Sequence, residues 1–130
     1  VGATLTNSGT QEALEVDGIA VSTNDRVLVW QQTSAAQNGV YVVTTVGDGS
    51  TNWVLTRSSD TDTSSEGDPN SLGGGDYFFV ETGNTLGSSS YVCTNDGVIV
   101  FGTTAITFNL FSSVPQGSQV TQTATPQGGK

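Results

Sequence analysis

The 130-residue chain contains no histidine and no methionine, and its only lysine is the last residue. Without histidine it lacks the commonest general base, the usual partner of a nucleophilic serine or cysteine, and the commonest metal ligand. Without an internal lysine, Schiff-base and P-loop chemistry have no reactive amine. Pairs of carboxylates, as in glycoside hydrolases, are the one catalytic apparatus left. The residue inventory therefore predicts a protein that is not an enzyme and carries no cofactor.

Positive charge is scarce as well. Arg26, Arg57 and Lys130 stand against 12 acidic residues, which gives a net charge of −9. Such a surface repels nucleic acid and anionic membranes, and no basic stripe offsets that repulsion. No stretch approaches the ~20 apolar residues of a membrane-spanning helix. We expect neither nucleic acid nor a membrane as a partner.

Cys93 is the only cysteine, so no disulfide can form within the chain. It sits in the apolar run Tyr91–Cys93, which favours a small buried side chain, and a reactive thiol is the alternative. A chain without disulfides can be made in a reducing cytoplasm.

Short runs rich in Val, Ile, Thr and aromatic residues recur along the chain, with Gly, Asn, Asp and Ser between them. This spacing predicts a single all-β domain over residues 1–113, a small sandwich or barrel of about eight short antiparallel strands with one helical turn. Asp17-Gly18 and Asp96-Gly97 each predict a hairpin turn. The predicted strands are residues 3–7, 13–16, 19–22, 26–30, 40–46, 52–57, 76–82, 90–94, 98–101 and 105–111. The side chains predicted to face inward are Val27, Val29, Val42, Leu55, Phe79, Val92 and Ile99.

Residues 31–39, QQTSAAQNG, are too long for a tight hairpin and too short for a helical crossover. Thr33 or Ser34 suits a helix N-cap, the next three residues tolerate a helix, and Gly39 suits a left-handed end. We interpret this loop as one helical turn that plugs an end of the β-structure. A binding loop is the alternative.

Residues 58–75 form a polar acidic stretch. Asp60, Asp62, Glu66 and Asp68 are weak candidates for a Ca²⁺ site, because their spacing does not fit an EF-hand. A solvated acidic loop is the favoured interpretation, so the sequence predicts no firm metal site.

The two internal arginines and three of the aromatic residues each allow two interpretations. Arg26 follows Asp25, and Arg57 lies near Asp60 and Asp62 in the sequence. Structural ion pairs, with Arg57 reaching Asp60 or Asp62, are favoured over a site for an anionic ligand. Trp30, Trp53 and Tyr91 form either a sugar-stacking platform or, as favoured, part of a core or subunit interface.

Residues 114–130 have low complexity and no apolar face. We interpret them as an extended C-terminal arm that docks on a neighbouring subunit, because they cannot fold around a core of their own. The residues assigned to assembly are Val114, Pro115, Val120 and Pro126.

The runs DRVLVWQQTSAAQNGVYVV, NWVLTRSSDTD, DYFFVETGNT and GTTAITFNLF resemble a β-domain that recurs in virion proteins of tailed phages, including cyanophages. The resemblance covers about residues 3–112. The matching positions are Asp25, Arg26, Gln32, Thr33, Asn38, Gly39, Leu55, Thr56, Arg57, Asp60 and Asp62.

The resemblance implies a structural role in a tail fibre, an appendage or the head surface, and it brings no catalytic residue. It implies a homo-oligomer, with a trimer favoured, that contacts capsid or tail proteins at the virion surface after synthesis in the host cytoplasm. The isolated domain and the arm favour a capsid decoration protein over a repeat within a fibre. The alternatives from other classes are a carbohydrate-binding adhesion module and a filament subunit joined by strand donation.

Overall fold

The computed structural model describes residues 2–64 and 71–113, and this part of the chain contains nine strands and one short 3₁₀ helix. No helix in it is long and apolar enough to cross a membrane. The strands are β1 (Thr4–Thr6), β2 (Glu15–Val16), β3 (Ile19–Ala20), β4 (Arg26–Val29), β5 (Gly39–Thr45), β6 (Val54–Arg57), β7 (Tyr77–Val80), β8 (Ser89–Cys93) and β9 (Phe108–Ser113). The 3₁₀ helix spans Ala35–Gln37.

The strands form three antiparallel sheets. The first has the order β1-β6-β5-β4, the second is the hairpin β2-β3, and the third has the order β7-β8-β9. The all-β prediction is confirmed, and the arrangement agrees with a small β-sandwich. In the described residues β4 and β7 are each paired on one side only, so both are edge strands.

The buried side chains form two clusters, one on each large sheet. The first consists of Leu14, Val27, Tyr41, Val43 and Leu55. The second consists of Leu72, Tyr91, Cys93, Ile99, Ile106 and Phe108. Within β5 and β8 the buried members alternate along the strand, because successive side chains of a strand point to opposite faces. Leu14, Leu72, Ile99 and Ile106 join the clusters from the connecting segments.

Three of the predicted inward positions, Val42, Phe79 and Val92, are in the wrong register. In β5 and β8 the buried side chains are those on either side of the predicted ones, namely Tyr41 and Val43 in β5, and Tyr91 and Cys93 in β8. Val27, Leu55 and Ile99 are buried, whereas Phe79 is 56% exposed. Its neighbour Phe78 packs against the second cluster instead. Every residue of Tyr77–Val80 is apolar, so composition gave no reason to choose one register over the other. Val29, Val42 and Val92 are half-buried.

The hairpin at Asp17-Gly18 is confirmed. Val16 pairs with Ile19 across the turn, and Asp17 and Gly18 have φ angles of 50° and 77°. Two consecutive left-handed residues are the geometry of a type I′ turn, which asparagine or aspartate followed by glycine favours.

The predicted strand at residues 98–101 is wrong, and so is the hairpin at Asp96-Gly97. The backbone N–H groups of Thr103 and Thr104 donate to the Val100 carbonyl, so the chain turns there. Ile99 is buried while Val98 and Val100 are exposed. This exposed–buried–exposed pattern is the one that a strand would show. Here it arises because Ile99 alone of the three is buried in the second cluster and the chain turns after it.

Candidate functional site

The loop before β5 is fastened to the third sheet through Asn38. Its side-chain amide donates to the Ile106 carbonyl at 2.8 Å and its side-chain oxygen accepts from the Gln32 N–H at 2.9 Å. Ile106 N–H donates in turn to the Ala35 carbonyl. The loop forms the helical turn that the sequence predicted, although the Ser34 side chain makes no capping bond. These contacts close one end of the β-structure and favour the plug over a binding loop.

Arg57 is the centre of this end of the molecule. Its Nη1 donates to the Asn38 carbonyl at 2.8 Å and its Nη2 to the Ala36 carbonyl at 3.3 Å. Its guanidinium carbon lies 4.9 Å from the ring centroids of both Tyr41 and Phe101. The guanidinium therefore lies between two aromatic faces and holds the loop backbone.

The buried charge of Arg57 has little to balance it. The side chain is only 5% exposed, and its Nε has no hydrogen-bond partner among the described residues. Burial lowers the pKa of the guanidinium, an effect that the acidic groups of Tyr41 and Asp62 oppose. The ion pair predicted between Arg57 and Asp60 or Asp62 is not formed within 4.0 Å in the described part of the chain. Backbone carbonyls and aromatic faces take the place of a carboxylate.

Arg26 has the ion pair instead. Its Nη1 lies 3.2 Å from Asp60 Oδ1 and 2.9 Å from Ser58 Oγ, and about half of each charged side chain is exposed. The hydrogen bond from Ser58 and, less strongly, the contact with Arg26 hold the pKa of Asp60 below its usual value. This group joins the end of β6 to the edge of the first sheet.

The acidic stretch gives no support for a metal site. Across residues 2–64 and 71–113 no three carboxylate or cysteine side chains come together as metal ligands would. Asp60 is engaged by Arg26 and Ser58, and Asp62 is buried. Glu66 and Asp68 lie outside the described residues.

The three aromatic side chains considered as a sugar platform lie apart in two different packing environments. Trp30 packs against the buried ring of Tyr91, with centroids 4.8 Å apart and ring planes tilted by 44°, at the second cluster. Trp53 is half-buried against the first cluster. A flat, exposed platform of these rings is therefore absent.

Cys93 is a buried free thiol. Burial raises its pKa above the usual value, so little of it is the reactive thiolate at neutral pH. Its side chain packs among Leu72, Ile99 and Ile106 as a small hydrophobe.

An exposed apolar surface on the third sheet escaped the sequence analysis. Tyr77 and Phe111 are each 64% exposed, and their rings lie 5.8 Å apart. Phe79 is on the same face of β7 as Tyr77, two residues along the strand. We call Tyr77, Phe79 and Phe111 the aromatic face. The sequence signal for such a surface is a run like YFFV, in which consecutive positions are apolar. A strand of this kind has apolar side chains on both faces, so one face stays exposed when the other is buried.

A groove of about 780 Å³ separates the edge strands β4 and β7. Apolar side chains from both large sheets contribute to its lining: Leu28, Trp30, Val40, Phe78, Val80 and Tyr91. Arg26, Asp25 and Glu81 lie along it as well. The groove is therefore bounded by two strand edges and has an apolar interior.

One end of this groove is closed by Asp17. Its Oδ2 accepts hydrogen bonds from the backbone N–H groups of Thr85 and Leu86 at 2.9 and 2.7 Å, and its carbonyl accepts from the Asn84 N–H at 3.1 Å. The β2-β3 hairpin is thereby attached to the loop after β7. The bonds from Leu86 and Thr85 hold the pKa of Asp17 below its usual 3.8.

This attachment predicts a pH dependence. Because the folded pKa of Asp17 is the lower one, its contribution to stability is complete above the unfolded value and is lost as the pH falls through the folded value. In an NMR titration, we expect the Thr85 and Leu86 amide protons to shift with a midpoint below 3.8. The Asp17→Asn variant should remove that transition. A midpoint at or above the usual value would contradict the geometry.

Comparisons with protein-family models, with curated proteins and with solved structures find no match for this chain. Val114, Pro115, Val120 and Pro126, assigned to assembly from the sequence, lie outside the described residues.

Proposed function

We propose that the chain is a structural subunit of a virion, a capsid decoration or fibre protein that docks through contacts with further copies and with capsid or tail proteins. The resemblance to the tailed-phage β-domain suggests the virion. The observation that carries the docking role is the aromatic face, three large apolar side chains that are more than half exposed on one sheet.

Exposure of this kind has an energetic consequence. Aromatic side chains bury roughly 150–250 Å² each when covered, at about 25 cal/mol per Å². Covering Tyr77, Phe79 and Phe111 therefore stabilises an assembly by several kcal/mol. Contiguous apolar patches on soluble domains mark interaction surfaces, and aromatic side chains dominate the energetics of such surfaces.

Charge supports the same assignment. The body of the chain carries a strong excess of acid, which keeps copies apart in general and disfavours random contacts. The aromatic face contains no charged side chain. Copies with such a surface associate through that face and repel elsewhere, which gives a defined interface.

The aromatic face can be tested by substitution. In the double variant Tyr77→Ser with Phe111→Ser, we expect the self-association constant to weaken by roughly hundredfold or more, as for two interface hot spots. The matched control is Val98→Ser with Val100→Ser, which removes two equally exposed apolar side chains away from the face. Sedimentation velocity over a concentration series measures both. Equal effects of the two variants, or a wild-type chain that stays monomeric, would contradict the docking role.

The virion assignment needs a separate measurement. An antibody against the chain should label the purified native particle in electron microscopy, at the head surface for a decoration protein and on the tail or its fibres for a fibre subunit. Purified particles that lack the chain would overturn the assignment.

A second candidate function is carbohydrate binding, which the exposed Tyr77–Phe111 pair favours. Two exposed rings 5.8 Å apart can stack on a sugar. A glycan array with the wild-type chain decides between the candidates. Strong binding that the Tyr77→Ser and Phe111→Ser variant loses would favour adhesion over decoration.

A further inference from the structure

Within residues 2–64 and 71–113, the groove between β4 and β7 has backbone groups without a strand partner on both sides. Asp25 accepts from Val43 N–H, so by antiparallel alternation Val27 and Val29 bond to β5, whereas the backbone groups of Arg26 and Leu28 point away from it. Leu28 and Arg26 belong to the groove lining.

The same alternation holds on the other side. Cys93 N–H donates to the Asp76 carbonyl, so Phe78 bonds to β8 while the backbone groups of Tyr77 and Phe79 point away from it. Tyr77 and Phe79 also line the groove. Two free strand edges with an apolar interior between them are the surroundings of a missing strand, and an added extended segment satisfies such edges.

We propose that this groove accepts an extended segment from the C-terminal arm of a second copy of the chain, residues 119–125. The inference rests on the proposed function, because it requires that copies associate. It specifies where copies contact each other: the arm of one subunit lies along the β7 edge in the groove of the next.

The sequence of the arm fits the groove. QVTQTAT at residues 119–125 has β-branched side chains at four of its seven positions, and it is bounded by Gly117-Ser118 and by Pro126, as a strand is. In an extended chain Val120, Gln122 and Ala124 share one face, and the two apolar side chains at its ends suit the apolar interior. The arm contains no acidic side chain, while Asp17, Asp25 and Glu81 line the groove around the single Arg26. An uncharged strand therefore enters without carboxylate repulsion.

Topology favours the arm of another copy over the chain's own arm. Ser113, where β9 ends, is level with Ser89 and Val80. The groove is closed at that end by Asp17 and Leu86, which bond to each other and both line it. A separate copy can enter from the Tyr77 end, and an arm of residues 114–130 reaches up to roughly 60 Å when extended.

Disulfide trapping in the full-length chain tests the proposal. One population carries Val120→Cys and the other Ala20→Cys, an exposed alanine of the groove lining. Mixed under mild oxidation by oxidised glutathione, they should form the mixed dimer at least roughly tenfold faster than a control pair. The control pairs Val120→Cys with Ala105→Cys, an exposed alanine outside the groove lining. The Val120→Cys and Ala20→Cys pair should react faster because docking of the arm raises the local concentration of the two thiols to the millimolar range.

Equal rates for the Ala20→Cys and Ala105→Cys pairs would overturn the proposal. So would a chain carrying both Val120→Cys and Ala20→Cys that forms only an internal disulfide at the protein concentration used for the mixed pair, since its own arm would then fill the groove. If sedimentation shows oligomers but trapping fails, the groove proposal alone is wrong. If the chain sediments as a monomer and trapping fails, the proposed function is wrong as well.

Discussion

Replacing Arg57 with alanine is expected to lower the free energy of unfolding by about 3–5 kcal/mol. The guanidinium donates to the carbonyls of Asn38 and Ala36, and charged hydrogen bonds of this kind contribute about 1.5–3 kcal/mol each. Its removal also leaves a cavity between the rings of Tyr41 and Phe101. Urea denaturation followed by tryptophan fluorescence measures the change.

The protein contains its own control for this experiment. Arg26 is also a strand arginine, but its ion pair with Asp60 is about half exposed, so Arg26→Ala should cost no more than about 1 kcal/mol. Arg57→Met keeps an apolar stem between the rings and loses only the hydrogen bonds, so its cost should fall between the two. Equal losses for Arg26→Ala and Arg57→Ala would contradict the role assigned to Arg57.

Removing residues 114–130 is expected to abolish assembly while leaving the domain folded. The arm holds only Val114 and Val120 as large apolar side chains, so it adds little to any core of its own. We expect the free energy of unfolding to change by less than about 0.5 kcal/mol, within the usual range for surface changes. Thermal melting together with sedimentation velocity measures both quantities.

A shorter deletion separates the arm's extended segment from its terminus. Removal of residues 127–130 leaves residues 119–125 and Pro126 in place, so assembly should persist. Unchanged assembly without residues 114–130 would discard the docking role of the arm. A large fall in melting temperature after that deletion would mean that the arm belongs to the domain's own core.

Local chemistry made several features predictable. The Asp17-Gly18 turn depends on two residues that tolerate left-handed φ angles, and the turn at Ala35–Gln37 depends on its neighbours in the chain. The all-β class follows from the recurrence of β-branched runs. Each of these properties is specified mainly within a few residues of sequence. The same Asp-Gly signal at Asp96-Gly97 gave no hairpin, so the surrounding structure can still override a local preference.

The aromatic face and the groove were not predictable in the same way. In Tyr77–Val80 every residue is apolar, and only pairing with Ser89–Cys93 decides that Phe78 points inward and Phe79 outward. At residues 98–101 an apparent strand became a turn, because hydrogen bonds from Thr103 and Thr104 to Val100 curve the chain. Register and long-range pairing are not encoded in composition.

The two arginines mark the boundary between sequence and tertiary structure most clearly. By itself the sequence determined that this is an acidic all-β chain with two internal cations, each beside a strand and near an acid. Only the tertiary structure decided that Arg26 takes the carboxylate of Asp60 at the surface and Arg57 is buried. The reason is that the partners of Arg57 are distant in the sequence. Tyr41 becomes its cross-strand neighbour when β5 pairs with β6, and the loop carbonyls lie just before β5. Phe101, which packs against the second cluster, reaches it only when the two clusters come together. A charge is buried here because folding brings those carbonyls and ring faces to it, and no local pattern specifies where they will be.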